Sequence, residues 1–389
     1  MKNIFDERAS ACALNRIFGY EPRYASELIG NLGSADAVFR LTEDELSDIL
    51  GPFSRYRGKI NGSVRDEAAR ELSWLADNGC TFIASTEDCF PTLLRECEDA
   101  PAGLYVRSDS PPEEIFKPGE CISVVGTRDI SLYGKEWCPE IIGALSSVRN
   151  PPTIVSGLAF GVDICAHMAA LAYGLPTIAV LPVGIDSVYP ASHRVAAGKI
   201  SSTPGCALIT DYPPGTKAEP VNFLRRNRII AGLSKATILV ESKEKGGGTM
   251  TARLASGYGR DVFALPGRID DIRSQGCNRL LAEKIAEPIV SVESLVQSLG
   301  IGAYNRRRKK DIREEIEKAY SGSSSPEEVK KLCSVAEAVK RSRGITPEEI
   351  GRQCGIPYEE SVSMVSMLEC DGFIDTDLYR RCSIHNKKS

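Results

Sequence analysis

Histidine is scarce in this chain: only His167, His193 and His385 occur among 389 residues. There are 13 cysteines, an odd number, and no two of them stand in a C-x-x-C pair. That pattern argues against a zinc site and against a disulfide framework. The cysteines read instead as small buried hydrophobes in a reducing cytoplasm. No apolar run approaches the ~18 residues of a membrane span. The opening, MKNIFDERAS, lacks the apolar centre of a signal peptide. A cytoplasmic location is the expectation. An excess of positive charge is also missing: 48 Lys and Arg face 52 Asp and Glu, a net charge of −4. Bulk charge will not hold nucleic acid, so any polyanion needs a local patch. What is present fits a globular protein, with 42% hydrophobic and 26% charged residues. The length suggests two or three domains.

Residues 1–75 read as short helices. Apolar positions recur at helical spacing in ALNRIFGY, YASELIGNL and ADAVFRL, and Thr42 with Glu45 forms a capping box. FGYEPRYASEL has the look of a helix-hairpin-helix turn, a module that can hold a DNA backbone through glycine amides. Glu21 stands where its second glycine belongs, so a small helical scaffold is the preferred reading. Residues 80–298 form the next unit, in which 80–120 read as an extension leading in. From about 120, short apolar runs alternate with helical patterns. The runs are CISVVGT, PTIVSGL, PTIAVLP, CALIT, ATILVES, DVFALPG and PIVS. Continuous apolar, β-branched strands belong to a parallel sheet buried on both faces. The fold class is therefore α/β: a Rossmann-like, doubly wound, mostly parallel sheet. Residues 299–325, with RRRKK at 306–310 and SGSSSP at 321–326, read as a linker. Residues 326–389 read as a helix-turn-helix followed by strand, a winged-helix domain. Its second helix, Tyr358 to Cys370, carries Glu359, Glu360 and Glu369 and no Lys or Arg. Groove reading normally uses those cations, so a protein contact or scaffold role is expected there.

Such a sheet binds ligands outside the carboxyl ends of its strands. Gly126, Thr127 and Arg128, then Ser156 and Gly157, then Glu241 to Gly248 fall there. No G-x-G-x-x-G follows the first strand, and GTRDISLYGKE has the wrong spacing for a P-loop, so no nucleotide cofactor is expected. The turns VVGT, VSGL and KGGGTM, including Gly247, Gly248 and Thr249, still allow close backbone approach and expose amides at helix starts. They are tight turns at the least, and they favour a phosphate-rich ligand. Ser156, Asp163 and His167 suggest a hydrolase triad, but sequence neighbours seldom form one. The segment NFLRRNRIIAGLS, residues 222–234, is more telling. Arg225, Arg226 and Arg228 crowd beside Phe223, with Lys217 just upstream. One arginine could pair with a buried carboxylate; three suggest a ligand. Guanidinium forks suit phosphate, and an aromatic face suits an unpaired base. Single-stranded nucleic acid fits that combination better than a mononucleotide does.

VVGTR, SGLAFGVDICAH, GIDSVYP, NFLRRNRIIAGLS, GGGTMTA, GRDVFALPG and GCNRLL occur in that order over residues 80–298. That series closely resembles the DNA-processing protein A family (DprA, also called Smf). The resemblance implies a cytoplasmic protein that binds single-stranded DNA in natural transformation and loads RecA recombinase onto it. It implies single-strand-binding protein as a further partner, a homodimer through the Rossmann-like domain, and no enzymatic activity or cofactor. By resemblance, DNA-binding roles fall on Arg128, on Arg194 after the YP motif, and on Phe223, Arg226, Asn227 and Arg228. The chain departs from the family where Lys245-Gly246-Gly247-Gly248 replaces a usual Ser-Gly-Ser, and where His193 replaces Asn. Two other readings stay open. KGGGTMTA is similar to the loop of nucleotide phosphoribohydrolases, but Ala252 stands where their catalytic Glu would be. A protein-interaction adaptor is the other, and the arginine cluster speaks against it as the sole role.

Overall fold

A computed structural model describes residues 4–116, 120–302, 312–322, 324–342 and 344–384. Two compact units are distinguished, Met1–Tyr304 and Asn305–Ser389.

The first unit is built on one sheet. Its strands are β1 (Cys80–Ala84), β2 (Gly103–Arg107), β3 (Cys121–Val125), β4 (Thr153–Ser156) and β5 (Thr177–Val180). β6 (Ala207–Thr210), β7 (Ala236–Leu239), β8 (Asp261–Ala264) and β9 (Glu287–Pro288) complete it. The spatial order is β1-β2-β6-β5-β4-β3-β7-β8-β9. Pairing is parallel from β6 through to β9 and antiparallel at β1–β2 and β2–β6. The segment expected as a lead-in thus contributes two strands to one end of the same sheet, β1 at the edge and β2 between β1 and β6. The strand expected at PIVS is the two-residue β9, one position earlier.

Alternation along the strands feeds two cores. Ile122, Val124 and Ile154 pack with helices Leu132–Leu145 and Val162–Ala172. Val125, Val155 and Val180 pack on the other face with helices Pro220–Leu233 and Gly247–Gly257. Both faces are covered, so the strands hold few polar side chains, and those are satisfied within the sheet. Ser156 donates to the Val124 carbonyl at 2.7 Å, and Thr177 to Ile154 at 2.8 Å. A buried hydroxyl without a partner is costly, and these bonds remove that cost.

The winding sets the site. From β3 the chain steps through β4, β5 and β6 in one direction. Helix Pro220–Leu233 then carries it back, and β7 pairs on the other side of β3. The carboxyl ends of β3 and β7 are adjacent there, and the connections leave them in opposite directions, opening a crevice.

The helices before β1 pack on this sheet. Leu14, Phe18, Leu28 and Leu75 share a core with Phe82, Tyr105 and Leu181. The Thr42–Glu45 capping box is present at helix Glu43–Leu50. The hairpin-like turn lies between helices Ile4–Phe18 and Pro22–Leu32, and the Glu21 carboxylate is held by Arg55 and by the Tyr56 hydroxyl.

In the second unit, helices Pro326–Arg341, Pro347–Cys354 and Tyr358–Cys370 precede an antiparallel ribbon of β10 (Ile374–Thr376) and β11 (Cys382–Ile384). Gly355, at φ 68°, ends the second of these helices in the left-handed conformation that the tight turn requires. Residues 312–320, expected within a linker, form a helix. Its Ile312, Ile316 and Tyr320 are buried against Leu332, Val339 and Phe373. The amphipathic spacing of those three residues is the signal that the neighbouring basic run obscured. The run itself, 306–310, and the tail lysines 387 and 388 lie outside the described residues.

Candidate nucleic-acid interface

The crevice at the switch point is a cleft of about 760 Å³. Its floor is the turn after β3. Gly126 has to be glycine: a Cβ would lie 2.5 Å from Val162 Cγ2 and 2.7 Å from the Glu241 carbonyl oxygen. Thr127 ties that turn to the segment after β7 by donating its amide to the Glu241 carbonyl at 2.7 Å. Gly248, in the first turn of helix Gly247–Gly257, would place a Cβ 2.9 Å from Gly126 Cα. Two bare backbones therefore meet, and the amino end of a helix is drawn up to the cleft beside Gly247. Such an end favours an anion. Thr249 does not offer its hydroxyl; it is 2% exposed and bonded to Ser242 Oγ at 2.8 Å and the Lys243 carbonyl at 3.0 Å.

The walls carry charge and rings. Arg128 is exposed and lays its guanidinium over the Phe223 ring, 4.9 Å from the centroid. Tyr189 meets Phe223 edge-on, with centroids 5.2 Å apart. Lys243 and Lys245 line the cleft as well. Among the described residues, Arg128, Lys243 and Lys245 make no ion pair. The acids nearby are already engaged: Asp129 with Arg273, Glu244 with Arg279, and Asp163, buried in the lining, beside the charge of Arg226. The free charge in the cleft is therefore positive. Tyr189 was not singled out from sequence, and Lys243 and Lys245, within the Glu241 to Gly248 stretch expected at the ligand edge, were given no binding role of their own. Their signal was present: Tyr189 stands in the GIDSVYP motif, and the lysines bracket the glycine turn after a strand.

The three crowded arginines do different things. Arg226 lines the cleft but is only 3% exposed, and Nη1 donates to the Gly157 carbonyl at 2.6 Å and to that of Val180. Burial pulls its pKa down to about 10, against the favourable charge of Asp163. Asp163 is buried beside it, and that burial raises its pKa while Arg226 opposes the rise. Gly157 exists to admit this arginine, since a Cβ there would lie 2.6 Å from Arg226 Nη2. Asn227 lines the cleft, 7% exposed. Arg228 does not face the cleft. It pairs with buried Asp211 and donates to the Asp99 carbonyl, which is the structural pairing weighed from sequence for one arginine. Arg225 also points elsewhere, stacking on Tyr20 at 4.2 Å. In helix Pro220–Leu233 the faces follow helical spacing: Arg226 and Ile230 share the cleft, and Arg225 and Arg228 share a separate groove.

The remaining candidates lie outside the cleft lining. Ser156 is fully buried within the sheet and bonded to backbone. Arg194 is exposed at the start of helix Arg194–Ser201, and Lys217 is exposed before helix Pro220–Leu233. Nor do Ser156, Asp163 and His167 form a triad. His167 is bonded through Nδ1 to Thr177 Oγ1 at 2.7 Å, and burial pushes its pKa down to about 3.

A family model described as DNA recombination-mediator protein A matches residues 81–300, the whole sheet and the cleft. The chain belongs to that family. Protein Smf of Synechocystis sp. is 39% identical over 221 residues, covering 56% of this chain and 54% of that protein. The DNA processing protein DprA of Streptococcus pneumoniae is 39% identical over 197 residues, 51% of this chain and 67% of that one. The match thus spans about half the length of the first relative and two thirds of the second. The X-ray structure of DprA from Streptococcus pneumoniae superposes with a TM-score of 0.60 at 30% identity, covering 76% of this chain and 98% of that chain. The Rossmann-like α/β sheet of this family is the fold described above. Among the described residues, no helix is long and apolar enough to cross a membrane.

Proposed function

We propose that this protein binds single-stranded DNA in the switch-point cleft and acts in DNA processing. The observation that carries this reading is the unpaired guanidinium of Arg128 lying on the Phe223 ring, at the place where an open α/β sheet receives its ligand. Phosphates meet Arg128, Lys243, Lys245 and the amides near Gly247, while a base stacks beside Phe223 and Tyr189. Gly126, Thr127 and Gly248 shape the floor, and Asn227 offers polar contacts. Arg226, Arg228 and Gly157 hold the wall in place. Arg194 and Lys217 are basic residues of the surrounding surface for a longer strand.

The family supports the wider assignment. In it we place natural transformation, loading of RecA recombinase onto the bound strand in exchange with single-strand-binding protein, a homodimer through the Rossmann-like unit, and a cytoplasmic location. The working modules are the helical segment 1–75, the core 80–298, the linker 299–325 and the winged-helix segment 326–389, with helix Ile312–Tyr320 lending its apolar face to the last. A non-enzymatic role is supported by Ala252, fully buried where a phosphoribohydrolase would carry its Glu, and by the separate partners of Ser156 and His167.

The test is a salt titration of affinity for single-stranded and blunt duplex DNA. Single strands should bind more tightly at every matched salt. Arg128→Ala should weaken binding and reduce the slope of log K against log salt by about 0.7, one phosphate contact. Equal or tighter binding to duplex sinks the proposal.

A further inference from the structure

Beside the cleft, and separate from it, lies a groove of about 330 Å³ between the helical segment and the core. Its walls are Tyr20 from the Gly19–Glu21 turn, Arg225 and Leu224 from helix Pro220–Leu233, and Met250 from helix Gly247–Gly257. Large apolar side chains seldom gather unpaired on a monomer's surface without a reason. Here Tyr20 is 59% exposed, Leu224 47% and Met250 42%. The Arg225 guanidinium lies 4.2 Å from the Tyr20 centroid. Its Nη1 is shielded from solvent and has no hydrogen-bond partner among the described residues, so Arg225 is not a completed structural pair as Arg228 is with Asp211.

Leu224 lines both the cleft and the groove. Successive helical residues turn by 100°. Phe223 therefore faces the cleft, Leu224 forms the sill, and Arg225 faces the groove. The groove is continuous with the proposed path of the strand.

We propose that this groove takes an unpaired nucleobase of the strand as it leaves the cleft, stacked against Tyr20 and Arg225. This rests on the cleft being the single-strand site. The chemistry selects a base rather than a second phosphate. The floor is apolar, and the carboxylate in its lining is Asp99, which accepts from the Tyr258 hydroxyl. That carboxylate disfavours phosphate, whereas a base offers N–H groups to an acceptor such as Asp99 and a flat face to the ring. The hairpin-like turn then serves the strand through its aromatic residue, not through the glycine amides that Glu21 interrupts.

The experiment measures the affinity of oligothymidylates from about 4 to about 20 nucleotides for the full chain, for Tyr20→Ala, for Tyr20→Trp and for Arg128→Ala. Tyr20→Ala should lose about tenfold in affinity for the long oligonucleotides. It should bind the shortest ones as the wild type does, with an unchanged salt slope, because stacking releases no counterions. Tyr20→Trp should keep the affinity, and long oligonucleotides should quench its added indole fluorescence relative to wild type. If Arg128→Ala weakens binding while Tyr20→Ala matches wild type at all lengths and the indole is not quenched, the groove assignment falls and the cleft stands. If wild type and Arg128→Ala bind every length alike, the cleft reading falls and takes the groove with it.

Discussion

Arginine shows how one residue type divides its labour. Arg128 is exposed on a ring, Arg226 is buried on carbonyl oxygens, and Arg228 is buried on a carboxylate. Phe223→Ala should weaken single-strand binding by roughly 1–3 kcal/mol and leave the salt slope nearly constant. Arg228→Ala should act on stability instead. It strands Asp211, whose side chain is 5% exposed, without its partner. Breaking a buried pair costs about 3–5 kcal/mol, which urea denaturation would read directly. A lowered salt slope with intact stability would place Arg228 on the DNA instead. His167 gives a pH test. Burial depresses its folded pKa from 6.5 to about 3. Below 6.5 the unfolded chain takes up a proton that the folded chain refuses, so this contribution to stability is present above 6.5 and is lost as pH falls toward 3. The loss amounts to about 1.4 kcal/mol per pH unit. Buried Asp163, Asp211 and Glu241 have raised values and act in the opposite direction. The measure is therefore the difference between wild type and His167→Gln, by urea denaturation between pH 7 and pH 4, which should shrink steadily on acidification.

At the scale of elements, the cleft depends on two loops meeting without side chains between them. Gly248→Ala sets a Cβ against Leu239 Cδ1 at 2.8 Å and Gly126 Cα at 2.9 Å. Neither strand backbone can yield easily, because β3 and β7 are paired to each other. The helix Gly247–Gly257 must move instead. We expect about 1–3 kcal/mol of destabilisation together with weaker DNA binding, read by thermal melting and anisotropy on the same sample. Gly247→Ala is the control for stability: a Cβ there meets nothing within 4 Å in the protein, and the melting temperature should change little. The strands themselves were legible from sequence because continuous β-branched runs have few other uses. The edge pair β1–β2 was not. Antiparallel strands at the rim bring no helical crossover, so their sequence reads as a connection.

At the scale of the whole molecule, the second unit owes part of its core to a segment outside the apparent domain. Ile312, Ile316 and Tyr320 are buried against it. A fragment spanning 305–389 should unfold cooperatively, while 326–389 should be less stable by about 1.5–3 kcal/mol per lost apolar side chain, an upper figure for each. Urea denaturation of the two fragments decides it. The longer fragment should not bind duplex DNA at physiological salt. Helix Tyr358–Cys370 presents Glu359 without a cation of its own among the described residues, Glu360 pairs with Lys331, and Glu369 accepts from the Thr376 amide. A micromolar complex with duplex would move groove reading into this unit.

The sequence alone determined the class of fold, the carboxyl-end location of the cleft, and several of the residue types that line it. These follow from periodicity and chain order, which are local properties. It also carried the family, through the ordered motifs between residues 80 and 298. Tertiary structure decided which arginine is free. Arg225, Arg226 and Arg228 are equivalent in composition, and a helix turns each to a different neighbour: a tyrosine, two carbonyl oxygens, a buried aspartate. Those neighbours lie as far as 205 positions away in the case of Tyr20, since 225 − 20 = 205. Only the packed chain brings them within reach, and burial then fixes which charge is spent on the fold and which remains for a ligand.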